Sequence, residues 1–304
     1  MDKVNTLWTE QFRPETLDKY IGNEGVKAFV AKCIEENDIP HMLLWGRPGT
    51  GKTTLAKLIV KNIKCDVMYI NASDERGIDI IRDKIVDFAS VNSFNPIKVV
   101  ILDEADYITS TAQAALRNVM ETYSMKTRFI LTANYAERII EPIKSRCQIF
   151  HVEPPTKGNV AKHVAGILDE KEVTYELSDL ASIVKTYYPD IRRIINACQQ
   201  CVDKDNVMNL GNFTSDVETV ITLIVEQLKA KEKKAWANIR QILADNEVND
   251  YILLYTGLYE RAEEFTTSPA DVAIHAAQYM WQNNSVADRE LNFIAFISQI
   301  LKIK

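Results

Sequence analysis

The chain has 304 residues, which is more than one hydrophobic core usually supports, so two or three domains are expected. Its composition, 46% hydrophobic and 26% charged with 10 glycines and 9 prolines, argues against collagen-like, disordered and low-complexity classes. The net charge of −6 disfavours a protein that binds nucleic acid by overall charge alone, but it leaves room for a local site.

Neither a membrane span nor a disulfide framework is indicated. The longest apolar runs stop far short of the roughly 18 residues that a spanning helix needs, and the first residues lack the apolar region of a signal peptide. We therefore expect a cytoplasmic protein with no membrane partner. The five cysteines are an odd number and are expected to be reduced, with Cys198 and Cys201 packing a helix rather than binding zinc.

Residues 40–155 alternate strand-like apolar runs with helical patterns. The predicted strands are 42–45, 67–70, 99–102 and 129–132, and the predicted helices between them are 53–62, 78–89 and 111–120. Strand and helix in turn are typical of a mostly parallel sheet with helices on both faces. Pro154 and Pro155 end this pattern, because proline neither donates to a neighbouring strand nor continues a helix.

Beyond the two prolines the patterns are helical. Short helices are predicted at 157–170, 177–187 and 191–202, and the stretch 203–213 is expected to be a connection. The last part of the chain carries apolar residues at a spacing of about 3.6, clearest in 217–232 and 291–301. A second, all-helical region therefore follows the sheet domain.

Residues 46–53, GRPGTGKT, match the P-loop pattern and stand between the first predicted strand and helix. Its backbone N–H groups can hold phosphates, Lys52 can reach the β and γ phosphates, and Thr53 can ligate Mg²⁺. The alternative, an ordinary glycine-rich turn, would seldom produce this match by chance. ATP and Mg²⁺ are the expected cofactors, and the nucleotide-binding residues expected here are Gly46, Pro48, Gly49, Thr50, Gly51, Lys52, Thr53 and Thr54.

A buried strand ends in two carboxylates, Asp103 and Glu104, about 50 residues after the P-loop. Asp103 suits a place beside Mg²⁺ together with Thr53, and Glu104 suits activation of the attacking water. Without a P-loop, a solvated strand end would be the default interpretation. Residues 103–106 also spell DEAD, a helicase signature. The chain lacks the Ser-Ala-Thr and the second sheet domain of those helicases, which disfavours that class.

Several segments, in order from residue 8 to about 200, resemble the AAA+ ATPases and, within them, sliding-clamp loader subunits of the replication factor C small-subunit type. The matching segments are NASDERGIDIIR at 71–82, LRNVMETY at 116–123, TRFILTAN at 127–134, IKSRC at 143–147 and YPDIRR at 188–193. The resemblance implies an α/β P-loop ATPase (AAA+) domain with a helical lid, followed by an all-α collar domain. The corresponding ranges are 1–155 for the ATPase core, 156–207 for the lid and 213–304 for an oligomerising collar.

The resemblance also implies roles for three catalytic side chains besides Glu104. Asn134 corresponds to sensor 1, which orients the attacking water, although an isolated Asn is more often a turn residue. Arg146 corresponds to an arginine finger that reaches the neighbouring subunit's ATP. Arg192 corresponds to sensor 2, with Arg193 as the adjacent competitor. A solvated charge is the alternative for each arginine.

Two contact regions are implied as well. The residues expected against the adenine are Phe12, Arg13, Tyr20 and Ile21, the alternative being a segment that packs on the sheet. The residues expected on DNA are Arg76, Gly77, Ile78 and Arg82. Acidic side chains outnumber basic ones across residues 71–90, so a helix N-terminus is the feature that suits a phosphate. Arg76 is also expected to hold Glu104 unproductively until DNA binds; the alternative is a surface helix with solvated arginines.

The implied function is an ATP-driven loader that opens a sliding clamp, closes it on primer-template DNA and uses hydrolysis for release. Its expected partners are the clamp, the DNA and other subunits of a pentameric ring, including a different one. Before Arg192 the family usually has Gly-Asp, whereas this chain has Tyr188-Pro189-Asp190. Together with the compact collar after Thr214, this favours a resemblance to the large subunit of tailed-phage, T4-type loaders; if the source is viral, the expected location is the cytoplasm of an infected host. Alternatives are a Holliday-junction motor, a DEAD-type helicase, or a subunit that binds ATP without hydrolysing it.

Overall fold

The computed structural model describes residues 7–74, 77–209, 214–230, 234–246, 251–283 and 285–303. The chain divides into two compact units, Met1–Met208 and Asn209–Lys304. The first unit holds both the predicted ATPase core and the predicted lid. The finer division into core, lid and collar stays a prediction.

The first unit is built on a five-stranded sheet. Its strands are β1 (Met42–Trp45), β2 (Cys65–Asn71), β3 (Ile97–Asp103), β4 (Thr127–Ala133) and β5 (Gln148–His151). Their order is β2-β3-β4-β1-β5 and every neighbouring pair is parallel. The predicted α/β architecture is thus confirmed. The sequence did not predict β5, because this edge strand is short and Gln148, Ile149 and His151 are exposed, so it lacks an apolar run.

Helices cover both faces of this sheet and follow it. They are α1 (Trp8–Gln11), α2 (Glu24–Glu36), α3 (Lys52–Lys61), α4 (Val86–Ser90), α5 (Ser110–Thr122), α6 (Glu141–Lys144), α7 (Lys157–Glu170), α8 (Leu177–Tyr187) and α9 (Ile191–Cys201). A π-helical stretch, Ile80–Ile85, leads directly into α4. The last three helices begin where the sequence predicts them, and α7 and α9 start at the caps Thr156 and Asp190, whose side chains accept backbone N–H bonds.

The sheet is fixed by apolar side chains that alternate along its central strand. All seven residues of β3 are buried. Val99 and Ile101 pack with residues of α2 and α3, whereas Val100 and Leu102 pack with residues of α5 on the other face. Burying a side chain of this size is worth about 1.5–3 kcal/mol. The strand therefore delivers its last residue, Asp103, to a fixed place at the carboxyl edge of the sheet.

Helix α9 is anchored by a contact with the start of the unit and by its own buried side chains. Trp8 of α1 is buried, and its backbone N–H donates to Gln199 Oε1 of α9 at 2.9 Å. Cys198 and Cys201 of α9 are buried and not bonded to another cysteine, and burial raises the pKa of their thiols to about 12 and about 11. They behave as core side chains, as the sequence predicts.

The second unit is helical in its described residues. It contains α10 (Thr214–Ala230), α11 (Ala235–Asp245), α12 (Tyr251–Glu260), α13 (Pro269–Gln282) and α14 (Arg289–Ile300). Its core is centred on Tyr255, whose ring contacts Phe293 and Phe296 with centroids 5.1 and 5.0 Å apart, and whose oxygen accepts a bond from Asn292. Across the described ranges, no helix is long and apolar enough to cross a membrane.

Candidate functional site

A cavity open to solvent, with about 1030 Å³ of empty space, lies at the carboxyl edge of the sheet of the first unit. Its walls come from the N-terminal segment, the P-loop, the ends of β3 and β4, and helices α7 and α9. Most of the residues predicted to bind or cleave the nucleotide line this one cavity: Phe12, Arg13, Tyr20, Ile21, Pro48, Gly49, Thr50, Gly51, Lys52, Thr53, Thr54, Asp103, Glu104, Asn134 and Arg192. Gly46 and Arg146 are not among the lining residues. Convergence at this edge follows from the parallel topology, which brings strand ends and helix N-termini together.

Lys52 is the buried cation of the cavity. Its Nζ donates to the carbonyl oxygens of Gly46 and Arg47 and to Asn134 Oδ1, each at 2.8 Å. Burial lowers its pKa to about 8, against the opposing pull of nearby carboxylates. The ammonium is therefore held beside the P-loop by neutral oxygens that an anionic ligand would outcompete.

Asp103 receives three side-chain hydroxyls. Thr53 Oγ1 donates to its two oxygens at 2.8 and 3.1 Å, Thr132 Oγ1 donates to Oδ1 at 2.5 Å, and Tyr69 donates to Oδ2 at 2.6 Å. The predicted metal pair Thr53 and Asp103 is thus in direct contact. A hydroxyl beside a carboxylate is the hard oxygen set that Mg²⁺ prefers, so these residues fit that ion.

Glu104 follows Asp103 in an unusual backbone conformation. Its φ of 54° lies in the left-handed region that a residue with a side chain seldom adopts. Its N–H donates to Thr132 Oγ1 at 3.0 Å, so one threonine supports both acidic residues. The turn aims the chain away from the strand direction and leaves Glu104 lining the cavity.

Asn134 stands directly after β4, the neighbour of β3 in the sheet. Its N–H donates to Asp106 Oδ1 at 3.3 Å and its Oδ1 accepts the Lys52 ammonium. The side chain therefore lies between the P-loop and the two acidic residues. This is where an amide could orient water near a terminal phosphate.

The P-loop and helix α9 approach each other closely. Gly49 has a φ of 75°, and a Cβ at that position would come within 2.0 Å of Asp190 Oδ1. Asp190 caps α9, the helix that brings Arg192 to the cavity. Arg193 is not among the lining residues, and it lies 4.0 Å from Asp190 in an ion pair. Geometry thus favours Arg192 over its neighbour as the cavity-facing arginine.

The N-terminal segment packs against the P-loop from the other side. Tyr20 is buried, its hydroxyl donates to the Thr50 carbonyl at 3.4 Å, and burial raises its pKa. A Cβ on Gly51 would come within 3.0 Å of the Tyr20 ring. No side chain among the described residues caps α3, whose first N–H groups therefore remain available to phosphates.

The predicted finger and DNA-binding residues do not line the cavity, or lie outside the described residues. Arg146 pairs with Glu121, and its Nη1 donates to the Pro142 carbonyl at 2.7 Å, away from the cavity of its own chain. Arg76 and the side chain of Arg82 lie outside the described residues. Gly77 and Ile78 stand where the helix before α4 begins.

Several residues in or beside the cavity were not predicted from the sequence. Tyr69 and Thr132 reach Asp103 from the two strands that flank β3; Thr132 lies in the matching segment 127–134, but neither was predicted to have a role. His163 and Ile195 line the cavity from α7 and α9. Only their place in the fold identifies them. The one available signal is that alternate residues of a strand beside the Asp103 strand can present hydroxyls to it.

Comparisons with known proteins agree with this geometry. Residues 42–154 match the family of ATPases associated with various cellular activities, AAA. The replication factor C small subunit of Aeropyrum pernix is 35% identical over 299 residues, which cover 96% of this chain and 87% of that protein. The replication factor C small subunit 1 of Pyrobaculum islandicum is 32% identical over 97% of this chain and 94% of its own length.

Solved structures show the same fold at lower sequence identity. The Thermotoga maritima RuvB Holliday junction branch migration motor matches with a TM-score of 0.58 and 18% identity, over 78% of this chain and 86% of its own. At this identity the likeness concerns the fold alone.

Proposed function

The chain belongs to the replication factor C small subunits within the AAA ATPases, and from that premise we propose that it is one subunit of a sliding-clamp loader. It is an ATPase. The finer steps, in which a clamp is opened, closed on primer-template DNA and released by hydrolysis, belong to this proposal. The preference for a phage-type loader is likewise kept as a proposal resting on Tyr188 and Pro189.

The observation that carries the proposal is the convergence of Lys52, Asp103, Glu104, Asn134 and Arg192 on one cavity. These are an ammonium for phosphates, a carboxylate with hydroxyls for a metal, a second carboxylate for water, an amide and a guanidinium. Phosphoryl transfer needs positioning and charge stabilisation more than covalent chemistry, and this set supplies both. We assign Mg²⁺ to Thr53 and Asp103.

The residues then act as follows. Bound Mg·ATP supplies the γ-phosphoryl group that is transferred to water. Lys52 leaves its carbonyl partners for the phosphates, and Glu104 accepts the proton of the attacking water. Asn134 orients that water, and Arg192 brings positive charge from the predicted lid to the γ-phosphate. Closure of the lid therefore completes the site of the subunit that carries it.

Arg146 supports an oligomeric mechanism. It is not directed into the cavity of its own chain and is paired with Glu121 instead. We propose that it acts as an arginine finger on the ATP of the neighbouring subunit, so hydrolysis requires the assembled ring, which we propose to be pentameric with a different subunit. Such fingers are worth about 10³–10⁵ in turnover.

Clamp and DNA would be contacted by different parts of the first unit. Val91, Phe94 and Met125 are exposed apolar side chains in the segments that precede β3 and β4. Because those strands are parallel neighbours, the three lie at the edge opposite the cavity, where an apolar pocket of the clamp could take them. DNA binding by Arg76, Gly77, Ile78 and Arg82 stays part of the proposal, supported by the helix N-terminus at Ile78.

A Holliday-junction motor is the second candidate, favoured only by the shared fold. The two candidates differ in which partners should stimulate ATP hydrolysis. We expect the assembled complex, copurified from its source, to hydrolyse ATP faster when clamp and primer-template DNA are both present than with either alone. Stimulation by four-way junctions without any response to the clamp would overturn the clamp-loader proposal.

A second experiment tests whether Arg146 acts on the ATP of the neighbouring subunit. Rings containing Arg146→Ala subunits should bind ATP with unchanged affinity yet turn it over slowly. Mixing them with Lys52→Ala subunits should restore part of the activity, because some interfaces then combine an intact site with an intact finger. No recovery at any ratio, in rings shown to assemble, would count against action between subunits.

A further inference from the structure

Tyr69 makes a contact with Asp103 that the roles above do not use. It lies on β2, beside the strand that ends in Asp103, and its hydroxyl donates to Asp103 Oδ2 at 2.6 Å. The side chain is 44% exposed, so packing in the core does not explain its orientation. The hydrogen bond to the carboxylate is the interaction that fixes it.

A second observation points the same way. The Lys57 ammonium of α3 lies over the Tyr69 ring, 4.9 Å from its centroid. A cation attracted to the face of the ring helps to hold the ring where its hydroxyl reaches Asp103.

We propose that Tyr69 is a positioning residue for the magnesium site, an inference that rests on the assignment of Mg²⁺ to Thr53 and Asp103. Thr132 holds one oxygen of Asp103 and Tyr69 holds the other. Two donors on different oxygens stop the carboxylate from turning. Asp103 is thereby kept in the orientation in which, with Thr53, it can serve a divalent cation.

The three possible roles of this hydrogen bond predict three different responses to Mg²⁺. If Tyr69 only supported the fold, its loss would lower thermal stability without changing the response to Mg²⁺. If it competed with the metal for Asp103, its loss would make Mg²⁺ act at lower concentration. A positioning role predicts that Mg²⁺ acts only at higher concentration.

The test compares Tyr69→Phe with Tyr175→Phe in the full-length chain. Tyr175 also donates to a carboxylate, Asp169 Oδ1 at 3.1 Å, but it is not among the residues that line the cavity. A fluorescent ADP analogue reports affinity in EDTA and across a Mg²⁺ titration, and ATPase rates are measured over the same titration. Melting temperatures of both variants are recorded alongside.

We expect Tyr69→Phe to bind the analogue in EDTA as the unaltered protein does. The Mg²⁺ concentration for half-maximal binding should rise about tenfold or more, because one hydrogen bond to a charged group is lost. Tyr175→Phe should leave that concentration unchanged. An unaltered or lower Mg²⁺ requirement in Tyr69→Phe would overturn the inference. If the unaltered protein showed no Mg²⁺ effect, the metal assignment itself would fail.

Discussion

At the scale of single residues, the site separates nucleotide binding from turnover. Lys52 and Glu104 line the same cavity, but the first is an ammonium held by carbonyls and the second a carboxylate on a left-handed turn. In the proposed mechanism their chemistry differs accordingly, because Lys52 offers charge to phosphates and Glu104 accepts a proton. Substitutions at the two positions should therefore fail in different measurements.

Glu104→Gln should retain ATP binding and lose turnover, because the amide keeps the shape of the side chain but cannot accept the proton. Lys52→Ala should weaken binding itself. Equilibrium binding of a fluorescent ATP analogue and a phosphate-release assay measure the two effects separately. Equal loss of affinity in both variants would contradict the assigned roles.

Lys52 also predicts how binding depends on pH. Its pKa in the empty site is lowered to about 8, and phosphates need its charged form. Above that pH, binding must be accompanied by proton uptake, so affinity should fall by up to about tenfold per pH unit. In the unfolded chain the lysine keeps its proton to higher pH, so the empty protein should also gain stability as pH rises through 8.

ADP titrations from pH 7 to 9.5 measure the fall in affinity. Lys52→Arg, which stays charged, should show a shallower fall; an equally steep one would exclude Lys52 as the cause.

At the scale of elements, the close approach of the P-loop to α9 is the contact that would connect bound nucleotide to the predicted lid. Gly49→Ala should force these segments apart, because its Cβ would collide with Asp190 and its φ of 75° disfavours a side chain. Arg192 would then move away from the cavity, and ATPase activity should fall. Gly166→Ala in α7 is the control, since nothing lies within 4 Å of its Cβ and it should stabilise the helix by about 1 kcal/mol. Equal activity in both variants would show that the approach is not needed.

The segments that precede β3 and β4 carry the proposed clamp contact. Phe94→Asp places a charge where an apolar ring is fully exposed, so it should abolish clamp binding without altering ATP binding. A pull-down with the clamp and a nucleotide titration check the two effects. Ile274→Asp, an exposed apolar position in α13, serves as the control for a general effect of added charge. Retained clamp binding in Phe94→Asp would remove this surface from the proposal.

The sequence predicted this architecture well where local chemistry decides it. The P-loop, the strand before Asp103 and the lid helices are local patterns, and the structure has each of them near its predicted bounds. It missed β5, which pairs with β1 without an apolar run, and it missed Thr132 and Tyr69. Those features depend on which strands become neighbours, and that information is spread over the whole unit.

At the scale of the whole molecule, each unit has its own apolar core. The clusters of the first unit involve residues up to Val152, and the cluster of the second starts at Val220 and includes Phe296. The cavity is lined by residues of the first unit alone. We therefore expect nucleotide binding to persist without the second unit.

A fragment of residues 1–208 should fold and bind ADP with unchanged affinity, yet stay monomeric and hydrolyse ATP slowly, since no neighbour supplies Arg146. Circular dichroism, the ADP titration and light scattering test these expectations. A fragment that assembled like the full-length chain would show that the second unit is not the oligomerising part.

The strand order has a consequence for how the protein is made. β1 is the first strand to leave the ribosome, yet its neighbours in the finished sheet are β4 and β5, which are synthesised much later. The contact of Trp8 can form only later still, because its partner Gln199 lies 191 residues further along the chain. Contacts this distant slow folding, and a nascent β1 with both edges unpaired is prone to aggregate. Production of this protein should therefore depend on chaperones that shield the first synthesised residues until α9 has emerged.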